Sequence, residues 1–198
     1  MQRAEMSKKG LDRHVANVPH DLSGTDSNFA RSHFQETVTM PTEQDRGFML
    51  KAIDLMRKAG VLEKTGGAFG AVIVKGGKVI AAGGNRVMAD KDPTAHAEVT
   101  AIRNACKNLG THILSGATMY TSCACCPMCY AAAYWARIDK VFYGAECDDY
   151  KDIFDDSDMY IDFELPFHKR KLKPEQLCRA EANVVWDEFR KLPDGARY

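Results

Sequence analysis

The chain has 198 residues, enough for one domain with an appendage around a single buried core. Apolar residues make up 45% and charged residues 27%, the balance of an ordinary globular protein, and no apolar run approaches the roughly 20 residues that span a bilayer. Lys+Arg and Asp+Glu both total 27, so no basic excess advertises nucleic acid and no acidic tail repels it.

Residues 1–41 are polar, mixed in charge and without periodic apolar positions, and they read as a poorly ordered N-terminal extension. Their start, MQRAEMSKKG, has no apolar segment behind it, so no secretory leader is expected. Thr42, after Pro41, has the character of an N-cap. Phe48, Ala52, Leu55, Met56 and Ala59 then recur at helical spacing, with Gly60 as the expected stop. AFGAVIVK and KVIAAGG flank Gly76-Gly77 and predict a hairpin with a glycine turn. DPTAHAEVTAIRNACKNLG predicts a loop and then a helix ending near Gly110. ATMYTS predicts a strand, CPMCYAAAYWAR a helix with Pro127 in its first turn, and KVFYGA a strand. Tyr134 and Trp135 in that helix are expected to pack. DDYKDIFDDSDMY is acidic and predicts short, irregular helix. Pro174 is expected to open a last helix with Leu177, Ala180, Val184 and Val185 turned inward.

Strands alternating with helices in the second half predict parallel pairing through crossovers, and so a sheet between helical layers. In such sheets ligands sit beyond the carboxyl ends of strands, near helix N-termini. The cysteine cluster begins just past ATMYTS, in the place for chemistry. The catalytic unit is expected over 42–165, with a C-terminal helical segment over 166–198.

Seven cysteines, an odd and clustered set, do not suit a disulfide framework; they suit a reducing cytoplasm and a metal or redox role. Four fall in TSCACCPMC, in two overlapping C-x-x-C frames: Cys123 with Cys126, and Cys126 with Cys129. Cys125 fits neither. A C-x-x-C opening a helix is either a redox dithiol, its thiolate favoured by the helix N-terminus, or half of a zinc site. Upstream, His96 and Glu98 form H-x-E at another helix start, one crossover unit earlier. H-x-E followed by C-x-x-C is the pattern of zinc deaminases: a histidine and two cysteines on the metal, with the glutamate as proton shuttle rather than ligand. Three protein ligands leave a fourth position for water, whose pKa zinc lowers to about 7. A structural zinc site would instead be closed by a fourth ligand, for which Cys123 or Cys125 is available.

On these motifs the chain resembles the cytidine deaminase superfamily, and within it the small bacterial-type guanine deaminases. The likeness runs from about Gly66 to the C-terminus through GGAFGAVIVKGGKVIAAGGNRV, DPTAHAEVTAIR, YTSCACCPMCYAAAYWAR, VFYGA and IFDDSDMY. It implies a three-layer α/β/α fold with a mixed central sheet flanked by helices, and hydrolysis of guanine to xanthine and ammonia. It implies Zn2+ on His96, Cys126 and Cys129, with Glu98 as the proton carrier. Where the family reads T-S-C-E-P-C-P-M-C, this chain has Ala124 and Cys125 in place of glutamate and proline. Asn85, by itself an ordinary turn residue, is implied as a contact to the base. Asp155 and Asp156, otherwise a solvated acidic pair, match a motif whose second acid reads the purine. Phe69 is a candidate for contact with a flat base. Tyr198 ends a segment that, in the family, closes over the site and is exchanged between subunits of a dimer. The expected partners are a small-molecule purine and a second copy of the chain, with no nucleic acid and no membrane. The other readings are guanosine deamination, tRNA adenosine deamination, and a non-catalytic zinc-binding partner subunit.

Overall fold

The structure, a computed structural model, describes residues 40–196. Residues 1–39 of the expected N-terminal extension, and Tyr198, lie outside the described residues. From Pro41 onward the chain forms one compact unit.

Helix α1, Glu43–Arg57, starts where Thr42 caps it. The Asp45 N–H donates to Thr42 Oγ1 (3.1 Å) and the Thr42 N–H donates to Asp45 Oδ2 (2.7 Å), a reciprocal cap that satisfies two otherwise orphaned donors. The Tyr120 hydroxyl also donates to Asp45 and ties the helix to the sheet. The helix does not stop at Gly60 but runs on as a π turn, Lys58–Leu62. Gly60 lies against Ala68, where an added Cβ would come within 2.5 Å of the Ala68 Cα. Glycine is there for close approach, not for termination.

Strands β1, Gly70–Lys75, and β2, Lys78–Gly84, form the expected hairpin. Gly76 and Gly77 both adopt positive φ, 57° and 73°, as a two-residue turn of this type requires. There follow α2 (Val87–Asp90), α3 (Ala97–Leu109), β3 (Ala117–Cys123), α4 (Pro127–Trp135) and β4 (Lys140–Ala145). A 3-10 turn at Cys147–Asp149, α5 (Ser157–Glu164), a second 3-10 turn at Phe167–Lys169 and α6 (Arg179–Lys191) follow.

The sheet order is β2-β1-β3-β4. Strand β1 is antiparallel to both β2 and β3, while β4 is parallel to β3. Because β1 opposes both of its neighbours, β2 and β3 point the same way without touching. The carboxyl ends of β2, β3 and β4 therefore share one edge, where α3, α4 and the segment after β4 begin.

Side-chain alternation along β1 divides two cores. Ala71 and Ile73 pack with Ala97, Ala101 and Ile102 of α3 and Ala133 of α4. Val72 and Val74 pack on the other face with Ala52, Phe48 and Leu55 of α1. The result is the expected α/β/α layering. Complete burial of a side chain such as Ile73 contributes about 1.5–3 kcal/mol.

Two expectations about packing fail. Helix α6 begins at Arg179 rather than Pro174, after Cys178 takes a left-handed φ of 53°, and it buries no residue. Leu177 is 86% exposed, and Val184 and Val185 are exposed too, because α6 is not laid on the sheet. Tyr134 and Trp135 are 74% and 62% exposed, since α4 turns only Cys129 and Ala133 into the core. Residue type predicted burial there; the short helix offers only one inward face.

Candidate active site

The C-x-x-C of the second frame occupies the N-cap and N3 positions of α4: Cys126 caps the helix, Pro127 is its first residue, and Cys129 follows one turn later. N-cap and N3 side chains meet across the first turn, so this spacing sets two sulfurs side by side at the positive end of a helix. His96 holds the N-cap of α3 at the same sheet edge. Its Nδ1 lies 3.6 Å from Cys126 Sγ and 3.5 Å from Cys129 Sγ. All three ligand atoms fall within 4.8 Å of one another.

The donor set fits zinc. Tetrahedral zinc with bonds of about 2.3 Å to sulfur and 2.0 Å to nitrogen separates those atoms by ~3.6 Å, the spacing found here. The donor chemistry, one imidazole and two thiols, also suits that metal. The hydrogen bond from the Cys129 thiol favours the Cys126 thiolate, with further support from His96 and the Cys129 backbone N–H. The same bond holds Cys129 protonated. His96 is raised in turn, chiefly by its contact with Cys126.

Cys123 and Cys125 lie outside this set. Cys123 is buried in the sheet, and burial pushes its thiol up. Cys125 packs against the α3/α4 core, and burial pushes it up to about 12. Among the described residues no fourth protein ligand closes the site.

Glu98, in the first turn of α3, is only 4% exposed. Thr121 Oγ1 donates to its Oε1 (3.0 Å), and its Oε2 lies 3.4 Å from Cys129 Sγ. Burial raises its pKa, against the lowering effect of these hydrogen bonds. A carboxyl shifted toward the working pH is suited to taking and returning a proton.

A cleft of about 550 Å³ opens over this group and reaches His96, Glu98 and Cys126. Asn85, Phe69, Asp155 and Asp156 line it as well, so the structure brings every described substrate candidate to one place. Asn85 is 4% exposed and pinned on three sides. Its N–H donates to Phe69 O, its carbonyl accepts from Thr65 Oγ1 (2.7 Å), and its Oδ1 accepts from the Val87 N–H (3.1 Å). Two amide hydrogens and one lone pair are left for a ligand. Gly66 makes room for that amide: a Cβ there would lie 1.9 Å from Asn85 Oδ1. Asp156, half-buried, stands at the N-cap position of α5 with no side-chain bond to the helix, whereas the exposed Asp155 accepts from the Ser157 N–H and hydroxyl.

Tyr150 and Phe154 also line the cleft, each edge-on to Phe69 with ring centroids 5.5 Å apart. The sequence reading passed over them. Their signal was weak: aromatics within an otherwise acidic run. Thr121 left no local signal at all, because its partner is 23 residues away.

Residues 42–145 match the family model of the cytidine and deoxycytidylate deaminase zinc-binding region. The chain belongs to that family. Guanine deaminase of Bacillus subtilis (strain 168) is 45% identical over 152 residues, covering 76% of this deaminase and 97% of the relative. The X-ray structure of the Bacillus subtilis guanine deaminase superimposes with a TM-score of 0.73 at 44% identity, over 77% of this chain and 98% of that one. A structure of guanine deaminase from Nitrosomonas europaea matches at TM-score 0.51 and 30% identity, over 58% and 65% of the two chains. A tRNA-specific adenosine deaminase of Agrobacterium fabrum is 46% identical over 99 residues, 50% of this deaminase and 64% of the relative. The family's cofactor is zinc, and the donor set of this deaminase fits it.

Proposed function

We propose that this deaminase hydrolyses guanine to xanthine and ammonia. One observation carries the reading: a one-imidazole, two-thiol donor set and a buried carboxylate share a cleft with Asn85 and Asp156. Similarity to the Bacillus guanine deaminase over almost that protein's whole length supports the choice of base; similarity to the tRNA-specific enzyme covers half of the chain.

His96, Cys126 and Cys129 would hold the zinc ion, which when bound would supply Lewis-acid activation of water at neutral pH. Glu98 takes the water proton and delivers it to a ring nitrogen beside the amino-bearing carbon. As the water oxygen bonds that carbon, Glu98 takes the second proton from the new hydroxyl and passes it to the amine, whose C–N bond breaks to release ammonia. Phe69, Tyr150 and Phe154 wall the flat base. Asp156, an acceptor when ionised, reads its N–H edge, and the Asn85 amide supplies donors to its acceptors.

The protein works as a homodimer in which residues 166–198 cross to the partner and Tyr198 closes the site. Exposed apolar faces support this: Tyr130, Tyr134 and Trp135 on α4, and Val184, Val185 and Trp186 on α6. Seven free thiols suit a reducing cytoplasm. Among the described residues no helix is long and apolar enough to cross a membrane. Zero net charge supports a small-molecule substrate over nucleic acid.

The test is ammonia release by the zinc-loaded protein from guanine, guanosine, cytosine and adenine, beside inosine formation in tRNA. Guanine is expected to turn over fastest. Asp156→Ala should lower kcat/KM for guanine by ~10-fold or more, and Asp155→Ala by less, because Ser157 already engages Asp155. Faster turnover of guanosine or of tRNA adenosine reassigns the substrate.

A further inference from the structure

Glu98 has two chemically equivalent oxygens, and the fold treats them differently. Oε1 accepts from Thr121 Oγ1 at 3.0 Å; Oε2 faces the ligand set, 3.4 Å from Cys129 Sγ. Both residues are buried, Thr121 to 1% exposure.

Thr121 is well placed to act as an anchor. It sits in β3, paired with Ala71 of β1 on one side and Tyr143 of β4 on the other. Its backbone is thereby held from both edges, and its β-branched side chain is stiff at χ1. Along β3, Met119 packs in the core beneath α3 and Tyr120 in the core beneath α1, so the alternation puts Thr121 on the α3 side. Thr121 does not line the cleft. Its effect on a ligand must therefore run through Glu98.

We propose that Thr121 is a positioning residue: its hydroxyl fixes one oxygen of Glu98 so that the other stays aimed at the metal ligands. This rests on Glu98 being the proton carrier. Without the hydroxyl, Oε1 loses a charge-assisted hydrogen bond in a buried site, and the carboxylate is free to rotate away from the reacting water. Proton transfer is sensitive to such misplacement in a way that substrate binding is not.

The experiment compares the zinc-loaded parent with Thr121→Val, Thr121→Ser, Glu98→Gln and the Thr121→Val/Glu98→Gln pair. It measures kcat and KM for guanine, the Kd of xanthine, and zinc per chain. Valine keeps the shape and strand preference and replaces the hydroxyl by a methyl group. The expected result is a ~10- to 100-fold fall in kcat for Thr121→Val, with KM, xanthine Kd and zinc content unchanged. Serine should restore kcat to within about threefold of the parent, and the double variant should be no slower than Glu98→Gln alone. Parental kcat in Thr121→Val beside an inactive Glu98→Gln overturns the role of Thr121 alone. An active Glu98→Gln overturns the proton-carrier reading, and the role of Thr121 with it. A loss in zinc or in xanthine binding, or one that serine does not restore, makes Thr121 a structural residue. If the valine variant does not fold, Thr121→Ala carries the same comparison.

Discussion

At Cys125 a thiol stands one position before a candidate metal ligand and takes no part in the donor set. It turns instead into the α3/α4 core, where burial holds it protonated. Cys123 is buried in the sheet, with the Ser122 hydroxyl donating to its sulfur. Two of the four clustered thiols are thus packing residues, and two face His96. Cys126→Ser should therefore lose zinc together with activity, while Cys123→Ser and Cys125→Ser keep about one zinc per chain and much of the turnover. Metal analysis of the purified variants decides it; full zinc in Cys126→Ser would falsify this register. Because the Cys129 thiol must give up its proton to bind metal, zinc retention should also weaken on acidification.

At the scale of elements, the site depends on helix starts. The N-termini of α3 and α4 deliver His96, Glu98, Cys126 and Cys129, and β3 delivers Thr121. Helix α1 braces the opposite face of the sheet through Asp45, which both caps the helix and accepts from the buried Tyr120 hydroxyl. The Asp45 carboxyl is held below its ordinary 3.8, first by the hydrogen bond from the Thr42 side chain and then by the one from Tyr120. A depressed carboxyl stabilises the fold fully above its unfolded pKa, and that contribution is lost as pH falls below 3.8 through the folded value. Asp45→Ala removes the cap and orphans a buried phenol. It should cost about 2 kcal/mol at pH 7, a fall of about 4–8 °C in Tm by calorimetry. The gap between parent and variant should narrow once the pH drops through that window. An unchanged Tm at pH 7 would show that α1 is held by its apolar face alone.

For the whole molecule, the telling element is the C-terminal helix. Helix α6 buries nothing, although Val184, Val185 and Trp186 give it an apolar side. Exposed faces of this kind mark association surfaces. Light scattering should give about twice the chain mass of 22.0 kDa. Removing residues 193–198 should leave zinc and fold intact but lower kcat/KM for guanine by ~100-fold, through loss of the closing segment. Monomeric mass with unchanged kinetics in the truncated protein would leave the segment without a role in catalysis.

The sequence by itself determined the order of the longer elements, though not the short helix α2, together with the hairpin turn at Gly76-Gly77, the cap at Thr42, and the pairing of H-x-E with a C-x-x-C that starts a helix. These are local properties: a cap, a turn or a periodic face is written within a few residues of where it acts. It also brought Asn85 and Asp156 into consideration, through likeness rather than through their own surroundings. Only the tertiary structure decided that Cys123 and Cys125 are packing residues, that Gly60 serves a contact, and that Tyr150 and Phe154 wall the cleft. Only it showed that Thr121 reaches Glu98, and that α6 with Tyr134 and Trp135 stays exposed. Each of these depends on atoms far apart in the chain meeting across the sheet, and β1, running against both neighbours, brings three carboxyl ends to one edge. Local pattern carries no information on such meetings, because the partner that settles a side chain's fate lies outside the window in which the pattern is read.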